Sequence, residues 1–170
     1  MPVANEQIRS QIVATVGEVE AVLDVGCGNC ELVRFLAQQV ARQAVGIDIN
    51  ADPVREQIQC EQNGELRTVW CAQVDAQDME TFADSRFDAV VSVHALHEIA
   101  NPDAALREMR RVLKAGGRLL IADFAKGETR WDEDYFTPGQ IRAMLRGVGF
   151  QGVRVEKVPG EHFIFASATK

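Results

Sequence analysis

Short apolar runs alternate with segments of helical periodicity from one end of the chain to the other. Ala21–Val25, Ala44–Asp48, Leu66–Cys71, Phe87–Val93 and Arg118–Asp123 each read as a buried strand. Near-continuous apolar strands imply cover on both faces, which a parallel sheet beneath helices provides. The segments between them carry helix punctuation. Asn101-Pro102-Asp103 sets a capping side chain, a first-turn proline and a first-turn acid in the favoured order. That spacing predicts a helix burying Leu106, Met109, Val112 and Leu113 and stopping at Ala115-Gly116-Gly117. Thr137-Pro138-Gly139-Gln140 predicts a capping box ahead of the stripe Ile141, Met144, Leu145 and Val148.

The two ends differ from this rhythm. Residues 1–20 predict one added helix with Ile8, Ile12 and Val16 as its apolar stripe. Val153–Val158, the Pro159-Gly160 turn and His162–Ala166 predict an antiparallel hairpin. Five β-α units followed by a hairpin make an α/β fold whose sheet is mixed at one edge. No repeat or linker divides residues 1–170, so one domain is expected.

Composition narrows the picture. Of 170 residues, 46% are hydrophobic and 25% charged, as in an ordinary globular domain. A formal net charge of −7 argues against broad binding to nucleic acid or anionic lipid. The richest basic group, Arg107, Arg110, Arg111 and Lys114, reads as a solvated helix face. No run approaches the roughly 20 apolar residues of a membrane span, and the first residues have no signal-peptide pattern. Cys27, Cys30, Cys60 and Cys71 are too few and too irregular for a disulfide framework, so a reducing, cytoplasmic setting is expected.

The chemistry concentrates where the first strand meets its helix, at Asp24-Val25-Gly26-Cys27-Gly28-Asn29-Cys30-Glu31. Glycines at such a turn let backbone approach a ligand closely. A dinucleotide loop would have glycine at the third position, where Glu31 stands, and its carboxylate would repel a pyrophosphate. Asp24 suits a cationic end, such as an ammonium, better than a phosphate. Asp48 closes the second strand, where a carboxylate can accept hydrogen bonds from both ribose hydroxyls. Together these describe a nucleoside whose other end is amino-acid-like.

Further motifs follow in order: Asp75-Ala76, Phe87-Asp88-Ala89-Val90-Val91 leading to His94-Ala95-Leu96-His97-Glu98, and Leu113-Lys114-Ala115-Gly116-Gly117. From Val22 to Ile121 the sequence resembles the class I S-adenosylmethionine-dependent methyltransferases. Within them it is most similar to the methyltransferase type 11 branch that includes the ubiquinone and menaquinone biosynthesis enzymes. The resemblance implies a Rossmann-like three-layer αβα sandwich with a mostly parallel, seven-stranded sheet and an antiparallel C-terminal hairpin. It implies S-adenosylmethionine as cofactor, S-adenosylhomocysteine as product and a small-molecule methyl acceptor. By the same resemblance Asp48 would hold the ribose, Asp75 the adenine amino group, and the Ala76 backbone would lie beside the ring. Gly26 and Gly28 would face the methionine portion. Asp24, Cys27, Ile49, Val93 and His94 complete the expected cofactor site.

The family's loop usually has a third glycine where this chain has Cys30. A position needing positive φ would be harmed by that change, whereas one in the first helical turn would tolerate it. The second is expected, because cysteine is compact and the helix stripe begins at Leu32.

Other readings stay open. Cys27-x-x-Cys30 could be a redox pair at a helix start, although Asp24 and Asp48 would then have no task. A noncatalytic S-adenosylmethionine-binding protein and an NAD(P)-dependent oxidoreductase are the remaining alternatives. His94 is the candidate general base or acceptor-orienting group. His97 is expected to cap the following helix, while Glu98, Asp123 and His162 are expected to be structural or pocket-wall residues. No metal site is expected. Lys126–Tyr135, with Trp131 and Tyr135, reads either as a flap or as a plain loop. With little chain available to cover an acceptor, either a second subunit or an open cleft is expected.

Overall fold

A computed structural model of the chain describes residues 6–127, 133–158 and 161–170. In chain order the elements are α1 (Glu6–Val16), β1 (Val19–Val25), α2 (Glu31–Gln39), β2 (Ala41–Asp48), β3 (Val54–Gln59) and β4 (Leu66–Gln73). There follow β5 (Phe87–Val93), a 3₁₀ turn at Leu96–Glu98, α3 (Pro102–Val112), β6 (Leu113–Phe124), α4 (Pro138–Gly147), β7 (Gln151–Lys157) and β8 (Phe163–Thr169). They form one sheet in the order β3-β4-β2-β1-β5-β6-β8-β7. Strands β4, β2, β1, β5 and β6 run parallel, and β8 and β7 form the antiparallel hairpin at one edge.

Helices lie on both faces, as the apolar strands require. On one face Ile8, Ile12 and Val16 of α1 and Val33 and Leu36 of α2 pack on Val22, Ala44, Val69, Val91 and Leu120. On the other, Leu106, Met109 and Val112 of α3 and Ile141 and Leu145 of α4 pack on Leu23, Val45, Val90, Leu119 and Ile121. Both predicted caps form. The Asn101 side chain accepts a hydrogen bond from the Ala104 amide, and Thr137 and Gln140 make a reciprocal capping box.

Four expectations are corrected. The sheet has eight strands, because the connection from β2 to β4 contains a strand and no helix. Val54, Glu56 and Ile58 face α2 in strict alternation, and β3 pairs antiparallel with β4. Second, α3 ends at Val112. Leu113 is buried as expected, but it opens β6 opposite Phe87. Third, Arg111 is not solvated: it holds Glu108 and Asp84 and donates to the carbonyls of Phe82 and Met79. It thereby pins residues 79–84 over the sheet, while Lys114 pairs with Asp88 at 2.7 Å. Fourth, Cys30 and Cys71 are joined as a disulfide, with Cα atoms 6.3 Å apart. The Cys27–Cys30 redox pairing is thereby displaced. Residues 1–5, Trp131 and the Pro159-Gly160 turn lie outside the described residues.

Candidate functional site

Strand β1 lies between β2 and β5, whose connections leave in opposite directions. The crevice beyond the carboxyl ends of such strands is where α/β sheets bind ligands. Here a cavity of ≈ 340 Å³ opens between the ends of β1, β2, β4 and the turn after β5. It brings together Gly26, Asp48, Ile49, Asp75 and Ala76, five of the residues expected at a cofactor site. It also takes in Ala95 and Glu98, both within the His94–Glu98 motif, and Ile99 and Ala100, which the sequence reading had not singled out. The Ala95 contact explains Gly26: a Cβ there would stand 2.2 Å from the Ala95 Cβ, and its φ is +84.

Asp48 organises the loop. Its carboxylate accepts hydrogen bonds from the amides of Gly28, at 3.1 Å, and Asn50, at 2.8 Å. Asp75 accepts from the Gln77 amide at 2.8 Å, closing a tight turn beside Ala76. Asp24 is different. It is 1% exposed, and neither carboxylate oxygen has a hydrogen-bond partner. Burial, reinforced by the charge of Asp48, pushes its pKa up to about 8. Such a group is expensive to ionise unless a cation or a donor arrives beside it.

The other expected residues lie outside the cavity lining. Cys27 packs against Gly46 and Val33 on the helix-covered side. Burial first, then Asp24 and Asp48, push its thiol up to about 12, so it is a poor nucleophile. Val93 is half-buried on the same side. Gly28 is exposed and contributes its amide to Asp48. Cys30 is the residue preceding α2 and has φ 68, so this position does need a left-handed backbone. The expectation that it lies within the helical turn is corrected. Its side chain, 2% exposed, turns toward Cys71 in the core and leaves the cleft open.

A second cluster sits beside the cavity, at the ends of β5 and β6. His94 has φ 53 and stacks on Phe124, with ring centroids 4.2 Å apart. Its Nδ1 is buried and unpartnered. Burial, with His97 nearby, holds its pKa below the usual histidine value, although Asp123 opposes this. His97 does not cap α3, since Asn101 does that. Its Nδ1 lies 2.6 Å from one oxygen of Asp123, and its backbone amide donates to the other at 3.0 Å. Burial works against charging His97, but Asp123, Glu98 and Glu133 outweigh it and raise its pKa. Nε2 lies 3.2 Å from Glu133 and 3.9 Å from Glu98. Tyr135 and Phe124 cover the ring. His162 is exposed on the approach to β8, where its carbonyl accepts from Ala125.

An open α/β sheet with an acid at the tip of its second strand and a glycine turn beside a buried acid is the arrangement expected of the methyltransferase class. The chain belongs to the methyltransferase domain family, whose model matches residues 23–121. It is 36% identical, over 110 residues, to the ubiquinone/menaquinone biosynthesis C-methyltransferase UbiE of Teredinibacter turnerae. That match covers 63% of this chain and 44% of the relative, so the chain spans less than half the length of the curated relatives it matches. The fold is shared with the [4+2]-cyclase SpnF (TM-score 0.77, 21% identity, 96% of this chain and 80% of that one). It is also shared with the 1,6-didemethyltoxoflavin-N1-methyltransferase of Burkholderia thailandensis, solved with bound 1,6-didemethyltoxoflavin and S-adenosylhomocysteine. There the TM-score is 0.74 at 20% identity, over 97% of this chain and 77% of the other.

Proposed function

We propose that this chain is an S-adenosylmethionine-dependent methyltransferase acting on a small-molecule acceptor. The observation that carries the reading is Asp24, a buried carboxylate with two unpartnered oxygens below the glycine turn and within electrostatic reach of Asp48. The residues fit the cofactor. Asp48 would accept from the ribose hydroxyls, Asp75 and Ala76 would meet the adenine, and Gly26, Gly28 and Asp24 would serve the methionine end with its ammonium. The bound cofactor supplies an electrophilic methyl group on a sulfonium, a good leaving group.

The protein therefore chiefly aligns the acceptor and keeps water out. His94 is the group we assign to the acceptor side. Burial favours its neutral imidazole, and its buried, unpartnered Nδ1 is the nitrogen that would take a proton from an acceptor reaching it. The acceptor itself does not carry over from the UbiE relatives, because the match spans less than half of their length. Among the described residues no helix is long and apolar enough to cross a membrane.

Calorimetric titration with S-adenosylmethionine, S-adenosylhomocysteine and NADH tests the cofactor. Binding of the two adenosyl ligands, lost in Asp48→Ala, is the expected result; NADH binding alone would decide for an oxidoreductase. A second reading, cofactor binding without methyl transfer, gains weight because a cyclase shares this fold. Methyl transfer from labelled cofactor across an acceptor panel separates the two.

A further inference from the structure

The cluster around His97 lies beside the residues assigned to the cofactor, and of its members only Glu98 lines that cavity. Three carboxylates, Asp123, Glu98 and Glu133, surround one imidazole, and among the described residues none of them pairs with a lysine or arginine. They come from three places: the end of β6, the 3₁₀ turn after β5 and the segment before α4. The His97 ring is 4% exposed and held from behind, while Glu98 and Glu133 are half-exposed at its open nitrogen. A histidine that gives one nitrogen to a buried carboxylate and turns the other toward acidic groups has the arrangement of a metal ligand with its orienting partner.

We propose that His97 Nε2, Glu98 and Glu133 form a site for a divalent first-row transition metal at the rim of the cofactor cleft. The three donor atoms lie within 4.8 Å of one another. Ligands around one such ion stand roughly 3–4 Å apart, given metal–ligand distances of about 2.0–2.2 Å. Small rotations of the two half-exposed glutamates close that difference. Mixed imidazole and carboxylate donors suit Zn²⁺ or Mn²⁺, whereas Mg²⁺ favours oxygen alone. Asp123 does not ligate. It fixes the His97 tautomer so that Nε2 presents its lone pair. Glu98 also lines the cofactor cavity, so a metal here would hold its remaining coordination positions toward the space an acceptor must occupy.

The test is titration of the full chain, stripped with a chelator, with ZnCl₂, MnCl₂ and MgCl₂, each without any adenosyl ligand. One saturable site is expected for Zn²⁺ and Mn²⁺, tighter for Zn²⁺, and little for Mg²⁺. His97→Gln should abolish it, Glu133→Gln should weaken it at least tenfold, and Asp123→Asn should weaken it roughly 10–100-fold. Glu133 is half-exposed, so its variant keeps the fold; a melting curve without metal checks each protein. X-ray absorption of the zinc form should show nitrogen and oxygen neighbours. The proposal is overturned by the absence of saturable binding, by sulfur ligation, or by binding that His97→Gln and Glu133→Gln leave intact. Titration with S-adenosylhomocysteine in parallel keeps this apart from the cofactor reading, since either ligand can bind when the other does not.

Discussion

The two halves of the cleft use carboxylates in opposite ways. At the ends of β1 and β2, Asp24 has no partner among the described residues and Asp48 is held by backbone amides, so that half keeps carboxylate oxygens available to a ligand. At the ends of β5 and β6, Asp123, Glu98 and Glu133 already share His97, so that half is preassembled by the protein itself. The lesson is that an unpartnered buried acid points to a small molecule, whereas a saturated one points to the positioning of a neighbour. Variants in the two halves should therefore separate.

The largest separation is expected from Asp48→Ala against His97→Ala. Two hydrogen bonds from ribose to a charged carboxylate are worth about 3 kcal/mol or more, which is roughly a hundredfold in affinity. S-adenosylhomocysteine binding should fall by at least that factor in Asp48→Ala. In His97→Ala it should stay within a few-fold, read by the same calorimetry. Equal losses in both would erase the distinction between the halves.

Asp24 gives a finer test through protons. With its pKa pushed up to about 8, the carboxyl is protonated in the free protein at pH 7. A cationic ammonium beside it favours the ionised form, so binding should release close to one proton. Repeating the titration in buffers of different ionisation enthalpy measures that number. The release should vanish in Asp24→Asn, and wild-type affinity should rise as pH goes from about 6 to 8. For the free protein the sign is reversed. The folded state retains this proton at pH values where the unfolded chain has lost it, so this group's contribution to stability falls as pH rises from the ordinary aspartate value of 3.8 toward about 8. Asp24→Asn should flatten that slope in melting curves. Unchanged proton release in the variant would assign the buried charge elsewhere.

What could be read from the chain follows the same division. The positions of Asp24, Gly26, Asp48 and Asp75-Ala76 were legible because each is set locally, by a strand end and the turn that follows it. The caps at Asn101 and Thr137 were legible for the same reason. Strand β3 was missed although Val54, Glu56 and Ile58 alternate and Asn63-Gly64 offers a hairpin turn. The expectation of a regular β-α rhythm overrode a period of two. The His97 cluster needs three distant segments, and the Cys30–Cys71 link joins a loop to β4. Neither has a local signal.

Gly26→Ala should show a smaller but clear effect on the half that holds Asp24 and Asp48. The added methyl meets Ala95 at 2.2 Å with φ +84, so either the turn or the 94–96 segment must shift. A loss of about 1–3 kcal/mol in stability is expected, together with weaker cofactor binding. Zinc binding at the His97 cluster should follow only as far as Ala95 drags its neighbour. Intact cofactor binding would show that the close approach at Gly26 is tolerated.

The smallest effect concerns Cys30, the departure that the loop makes from its family. Cys30→Ala and Cys30→Gly both delete the buried sulfur and its link to Cys71, so their difference isolates the backbone. At φ 68 an alanine carries a left-handed penalty of about 1–2 kcal/mol that glycine escapes. Part of this is offset by glycine's greater freedom in the unfolded chain, about 0.5–1 kcal/mol. Cys30→Gly should therefore melt slightly above Cys30→Ala and bind S-adenosylhomocysteine at least as well. If alanine were the more stable, the position would be helical after all. The third-glycine role would then belong to Gly28 alone, whose φ is 50.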